Sequence, residues 1–256
     1  MSSPLYDSHI HLTDSEYDNF LSSILITLKE MHMKACSVTV NISTSLKAIK
    51  LFEEKDIHSF VYNFIGIHPQ FVGENISRFE EIVTSNLDNI NGIGEIGLDP
   101  TYYDQKENTK MSQIQVFNKM LTIAETYDKP ISIHSRNSLD EILSVLSTYN
   151  LKKACLHWFD GTPQQLEKSL DLGLYISYGP SIVYSKKKQG LLKLTSEKRL
   201  LVETDGPVRY PSCFKNVITL PTSTLMSVVR SISEILCLSP KNAIDILEKN
   251  SMLFFD

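Results

Sequence analysis

The sequence predicts an α/β protein of the (β/α)8 type, a TIM barrel built as a single domain over residues 1–256. Three observations lead there. Short apolar and β-branched runs recur along the whole chain, most are separated by longer segments with helical spacing, and no Pro/Gly/Ser-rich linker or charge block divides them. A doubly wound open sheet is the competing architecture, but about 250 residues is the usual size of a closed eight-fold barrel.

Eight runs read as strands: Pro4–His9, Ala35–Ile42, Val61–Ile67, Gly92–Gly97, Pro130–His134, Lys153–His157, Gly173–Tyr178 and Leu200–Thr204. Helices fit between them. Ser15–His32 carries Phe20, Ile24, Leu28 and Met31 at helical spacing, and Ser45–Lys55 carries Leu46, Ile49 and Phe52. Met111–Tyr127 repeats the pattern with Ile114, Phe117, Leu121 and Ala124, as does Ser138–Tyr149 with Ile142, Val145 and Leu146. Thr162-Pro163 and Ser239-Pro240 each place a proline after a capping hydroxyl, a frequent helix start. Asp205 to Thr224, with Pro207, Pro211 and Pro221, is the least regular stretch and predicts a long loop over the barrel mouth.

With 42% hydrophobic residues and 21% charged, the composition excludes a disordered or collagenous chain. A net charge of −5 argues against a protein that coats nucleic acid with a basic face, though not against an enzyme that grips a few phosphates locally. Cys36, Cys155, Cys213 and Cys237 form no CxxC pair and no dense framework, which fits a reducing, cytoplasmic setting. No signal-peptide pattern and no apolar run of about 18 residues is evident, so no membrane association is expected; a monomer is the default.

The chemistry collects where the strands end. His9 and His11 are two apart on the first strand and face the same side. His68 ends the third strand, Glu95 lies in the fourth, His134 ends the fifth, His157 the sixth, and Asp205 follows the eighth. Five of seven histidines thus sit at strand C-termini, the face where such barrels keep their active sites; His32 and His58 do not. Burying so many imidazoles and carboxylates together is costly unless cations balance them. His9, His11, Glu95, His134, His157 and Asp205 supply six ligands, enough for two divalent ions (magnesium, manganese or zinc), with Glu95 as the natural bridge. Two such ions clamp a phosphoryl oxygen and acidify a water for in-line attack, and Asp205 can take its proton. Arg136 either holds a phosphate or pairs with Glu203, and Glu203 is a candidate for supporting a ligand from behind. Asp99 either orients a ligand or caps a loop. Trp158, the single tryptophan, either stacks on a base or packs. Lys186, Lys187 and Lys188 either attract a DNA backbone or are solvated.

These motifs together resemble the TatD family of metal-dependent deoxyribonucleases, a branch of the amidohydrolase-like barrels. The resemblance spans nearly the whole chain through DSHIHL at Asp7–Leu12, GIHP at Gly66–Pro69, GEIGLD at Gly94–Asp99, IHSR at Ile133–Arg136, HWFDG at His157–Gly161 and ETDGP at Glu203–Pro207. It implies exonucleolytic hydrolysis of DNA phosphodiesters, at single strands or DNA ends, with the six residues above as metal ligands. It also implies that His68 contacts the scissile phosphate. The chain departs from the commoner family form at His157-Trp158-Phe159-Asp160, where Cys-Phe-Ser is usual after the histidine, and in Val208-Arg209-Tyr210-Pro211-Ser212. Both changes alter the mouth and touch no proposed ligand. The same activated water can attack a carbonyl carbon, so a hydrolase of another ester or amide, such as an aminoacyl ester on tRNA, is the alternative. A barrel that keeps its metal only as a staple has no use for the complete ligand set.

Overall fold

The computed structural model describes residues 4–103 and 108–256. Eight strands follow one another in a parallel sheet in the order of the sequence: β1 (Tyr6–Ile10), β2 (Lys34–Val38), β3 (Val61–Ile65), β4 (Gly92–Gly97), β5 (Ile131–His134), β6 (Ala154–Leu156), β7 (Tyr175–Tyr178) and β8 (Leu200–Val202). The sheet curls until β8 meets β1, giving a (β/α)8 barrel. Its seam is closed just beyond the strands, where Asp205 N–H donates to the His9 carbonyl at 2.9 Å and His11 N–H to the Gly206 carbonyl at 2.8 Å. Below them, the Asp7 carboxylate accepts from Thr204 N–H at 2.9 Å and Thr204 Oγ1 at 2.6 Å. Covered on both faces, these strands are buried at every position rather than at alternate ones.

The strands stop one to four residues earlier than several of the predicted runs. The second is clearest: Ile42 begins α2 (Ile42–Glu54) because Asn41 and Thr44 form a reciprocal capping box. The first predicted helix divides into a 3-10 turn at Ser15–Tyr17 and α1 (Leu21–Glu30). Ile24, Leu25 and Leu28 set the buried face of α1, leaving Phe20 and Met31 half exposed. The cause is tertiary, since buried Tyr17 donates its hydroxyl to the Thr219 carbonyl across the mouth.

Around the sheet follow α3 (Ile76–Ser85), α4 (Lys110–Thr126), α5 (Leu139–Leu146), α6 (Pro163–Asp171) and α7 (Lys186–Leu192). Thr162 caps α6, as its Thr-Pro start predicts. The stretch after β8 is more ordered than a bare loop: α8 (Pro211–Phe214) is one turn, and α9 (Pro221–Ile235) starts at Pro221. α10 (Pro240–Phe255), capped by Ser239, covers the N-terminal end of the barrel with Phe254 and Phe255. Phe255 stacks on Tyr62 at 4.5 Å, so that end is packed shut and the opposite end carries the cavity.

Candidate metal centre

Two irregularities in strand register bracket the residues that matter. One falls between Asp7 and Ile10, around His9, and the other between Ile93 and Ile96, around Glu95. Such bulges re-aim side chains at barrel rims. Gly97 then lets β4 pass tightly against β5: its φ is +151°, and a Cβ there would lie 1.9 Å from the His134 carbonyl oxygen. Asp205 takes φ +52°, a left-handed conformation that Asp tolerates, and turns the chain at the top of β8.

Five of the six predicted ligands line the floor of a cavity of about 1330 Å³, and the sixth, His9, lies fully buried against them. Glu95 stands at the centre and divides its oxygens. Its Oε1 lies 2.8 Å from both His134 Nδ1 and His157 Nε2, while its Oε2 lies 3.6 Å from His9 Nε2 and 3.5 Å from His11 Nε2. Asp205 Oδ1 faces the same two atoms at 3.6 Å from His9 and 3.4 Å from His11.

Two rings are aimed by a hydrogen bond at the second nitrogen, and a third faces a carboxylate there. His9 Nδ1 meets Ser132 Oγ at 2.9 Å, His134 Nε2 meets Asp99 Oδ2 at 2.9 Å, and His157 Nδ1 faces Glu203 Oε1 at 3.8 Å. With protons placed on those outer nitrogens, lone pairs of all three rings point inward beside Glu95. His9 Nε2 is buried there without a hydrogen-bond partner. An orphaned buried lone pair beside two carboxylates fits a divalent cation.

The electrostatics follow. Burial acts to raise the Glu95 carboxyl, but His157 and His134, each 2.8 Å away, outweigh it and hold it well below the usual carboxylate range. Burial acts to lower His157, and Glu95 with Glu203 outweighs it, so that ring sits well above its ordinary value. His9 is pushed down by burial and by His157, stacked 3.8 Å away. The carboxylates thus draw positive charge into the cluster, which protons or metal ions can supply.

The profile of the TatD-related DNase family matches residues 6–256. The chain belongs to that family. Human deoxyribonuclease TATDN3 is 26% identical over 263 residues, covering 98% of this chain and 94% of the relative. The 3'-5' ssDNA/RNA exonuclease TatD of Salmonella typhimurium is 27% identical over 227 residues, covering 86% and 84%. An uncharacterized metal-dependent hydrolase of Buchnera aphidicola from Acyrthosiphon pisum is 30% identical over 230 residues, covering 82% and 84%. Among solved structures, the TatD homologue YJJV of Escherichia coli superposes with a TM-score of 0.89 at 21% identity, covering 100% of this chain and 99% of that one. A TatD-family hydrolase of Entamoeba histolytica gives 0.86 at 20%, with 100% and 99% covered.

Further residues of this TatD-family chain surround the cluster. His68 Nε2 lies 3.6 Å from Glu95 Oε1, close enough to resemble a ligand. Its Nδ1, however, accepts Gln70 N–H at 3.1 Å, which leaves the ring proton on Nε2. Burial holds the ring neutral, with its pKa lowered to about 3, so His68 faces the cavity as a hydrogen-bond donor. Asp99 does both things the sequence allows: Oδ1 caps the turn after β4 through Thr101 N–H at 2.9 Å, and Oδ2 orients His134. Glu203 accepts Trp158 N–H at 2.6 Å, not Arg136, and among the described residues Arg136 forms no ion pair although it lines the cavity.

Trp158 also lines the cavity, stacked on Tyr210 at 5.3 Å. Lys187 pairs with Asp160 at 2.9 Å and Lys186 is exposed, as a solvated helix face predicts. Lys188 is the exception, 5% exposed with its ammonium over the Trp158 ring. Sequence reasoning passed over Ser132 and Asp7 as well. The signal was present: both are polar residues at fully buried strand positions, two before His134 and His9.

Proposed function

We propose that this chain removes nucleotides from DNA ends, preferentially on single strands, as a cytoplasmic two-metal phosphodiesterase acting as one barrel domain over residues 1–256. The observation that supports this most is Glu95, set between two groups of imidazoles with one oxygen toward each. One divalent ion would be held by His9, His11, Asp205 and Glu95, and the other by His134, His157 and Glu95. Magnesium, manganese or zinc bound there supplies Lewis acidity toward a phosphoryl oxygen and a more acidic attacking water.

The chain's own groups do the rest. Asp205 turns Oδ1 toward His9 and His11, and its carboxylate accepts the proton of the attacking water. His68 donates Nε2–H to a non-bridging oxygen of the scissile phosphate, a role its fixed tautomer favours over ligation. Arg136, which forms no ion pair among the described residues, holds a neighbouring phosphate. The names of the human and Salmonella relatives, a deoxyribonuclease and an ssDNA/RNA exonuclease, support nucleic acid as substrate.

The test is digestion of end-labelled single-stranded DNA by chelated protein after return of magnesium, manganese or zinc, with Glu95→Ala alongside. Metal-restored shortening from one end, absent in the variant, is the expected result. No shortening by folded, metal-loaded protein would remove DNA as substrate and shift the assignment to a carbonyl ester.

A further inference from the structure

We infer that Arg209 is a second phosphate-binding residue, held in reserve by Glu16 and released to the substrate strand when the strand displaces that carboxylate. The inference rests on the nuclease reading. Arg209 and Glu16 both line the cavity, from the loop after β8 and the turn after β1. Their forked contact, with Nη1 to Oε1 at 3.0 Å and Nη2 to Oε2, spans the rim between those loops. A phosphodiester carries the same charge as a carboxylate and offers the same paired acceptor oxygens to a guanidinium, so one can replace the other.

The pair is placed for exchange rather than for holding the loops. Its side chains are 33% and 40% exposed, and ion pairs this open to water bind weakly. The loops are already fastened by Tyr17 Oη to the Thr219 carbonyl and by His11 N–H to the Gly206 carbonyl. Arg209 itself rests on a fixed base. Val208 N–H donates to the Asp205 carbonyl at 3.1 Å, Thr219 Oγ1 to the Val208 carbonyl at 2.7 Å, and Tyr210 Oη to the Thr204 carbonyl at 3.0 Å. Only the side chain needs to swing.

Position completes the case. In a cyclic order of eight strands β5 stands across from β1, so Arg136 after β5 and Arg209 beside the turn after β1 occupy opposite rims, with the Glu95 cluster between them. A strand laid across the mouth is then held on both sides of the bond to be cut. Arg136 holds its phosphate without competition, whereas Arg209 must first give up Glu16. Binding on the Arg209 side is therefore the weaker, and Glu16 sets how much weaker.

The test measures Kd for a fluorescent, cleavage-resistant phosphorothioate oligonucleotide by anisotropy across a salt series, beside digestion kinetics. Glu16→Gln is expected to tighten binding about threefold. Arg209→Gln is expected to weaken it about fivefold and to reduce the slope of log Kd against log salt by about 0.7, one single-strand phosphate contact. Arg209→Lys restores the salt slope but only part of the affinity. The gain from Glu16→Gln disappears in the Arg209→Gln background. If both single variants weaken binding, the pair is only a loop fastener and the inference falls; if the Glu16→Gln gain persists without Arg209, it is plain charge removal and the inference also falls. A parent protein that neither binds this oligonucleotide nor digests its unmodified counterpart removes the nuclease reading itself, a distinct outcome that takes this inference with it.

Discussion

Replacing Lys188 with Met should stabilise the fold at neutral pH. Lys188 is 5% exposed, and the only hydrogen bond of its ammonium among the described residues is a long one of 3.4 Å to the Trp158 carbonyl. Burial outweighs the attraction of Asp160 and Glu203 and lowers its pKa from 10.5 to about 8. The unfolded chain therefore holds this proton more tightly than the folded one. Below about pH 8 both states are protonated and the cost of the buried charge is present in full. Between about 8 and 10.5 the folded state has shed the proton while the unfolded state keeps it, so the cost fades as pH rises. At 1.36 kcal/mol per pH unit, the shift bounds that cost at about 3 kcal/mol. Methionine keeps the unbranched stem and its contact with the indole while removing the charge. Urea unfolding of Lys188→Met beside the parent, followed through the fluorescence of the single tryptophan, is expected to show a gain of about 1–3 kcal/mol at pH 7 that shrinks by more than half at pH 10. A variant less stable than the parent at pH 7, or a gain undiminished at pH 10, would refute this account of a buried charge whose partners only partly offset its burial.

The remaining predictions concern the cluster. Asp99→Asn can still cap its turn but no longer presents a carboxylate to His134, and it should weaken metal retention about 10–100-fold in chelator competition with the overall fold unchanged. Saturating manganese or zinc should raise the unfolding free energy of the chelated protein by about 2.7 kcal/mol at a hundred times Kd. Calorimetry of Glu95→Gln should show most of that gain lost. Gly97→Ala should cost about 1–3 kcal/mol by denaturant titration, because a Cβ has no room against the His134 carbonyl, and activity should fall further than stability accounts for.

The candidate site was legible in the sequence because parallel barrel topology does the gathering. Once the alternation of strands and helices is recognised, any polar residue at a strand's C-terminal end is brought to one face, and His9, His134, His157 and Glu95 declare themselves by position. What stayed hidden depends on contacts between distant parts of the chain. Tyr17 diverts the first helix by bonding to a carbonyl 202 residues away, which no local periodicity records. Lys188 reads as one of three solvated lysines, yet the start of α7 turns it inward beneath Trp158 while its two neighbours face water. The tautomer of His68, the feature that separates donor from ligand, depends on a backbone amide two residues on whose direction is fixed only by the turn after β3. The partner of Glu203 was likewise undecided between an arginine and something else, and it is the backbone of Trp158.

The seam between the first and last strands carries a final consequence. His9 and His11 lie on one side of it and Asp205 on the other, and the hydrogen bonds that join the two edges run through the backbone of these same residues. The part of the cluster made by His9, His11 and Asp205 cannot exist in a partly assembled chain, because these residues are separated by nearly the whole sequence until the cylinder shuts. The amides of His11 and Asp205 should consequently exchange with solvent as a unit, at a rate that any occupant of the site slows. Occupancy of the centre and closure of the cylinder are one equilibrium observed from two ends.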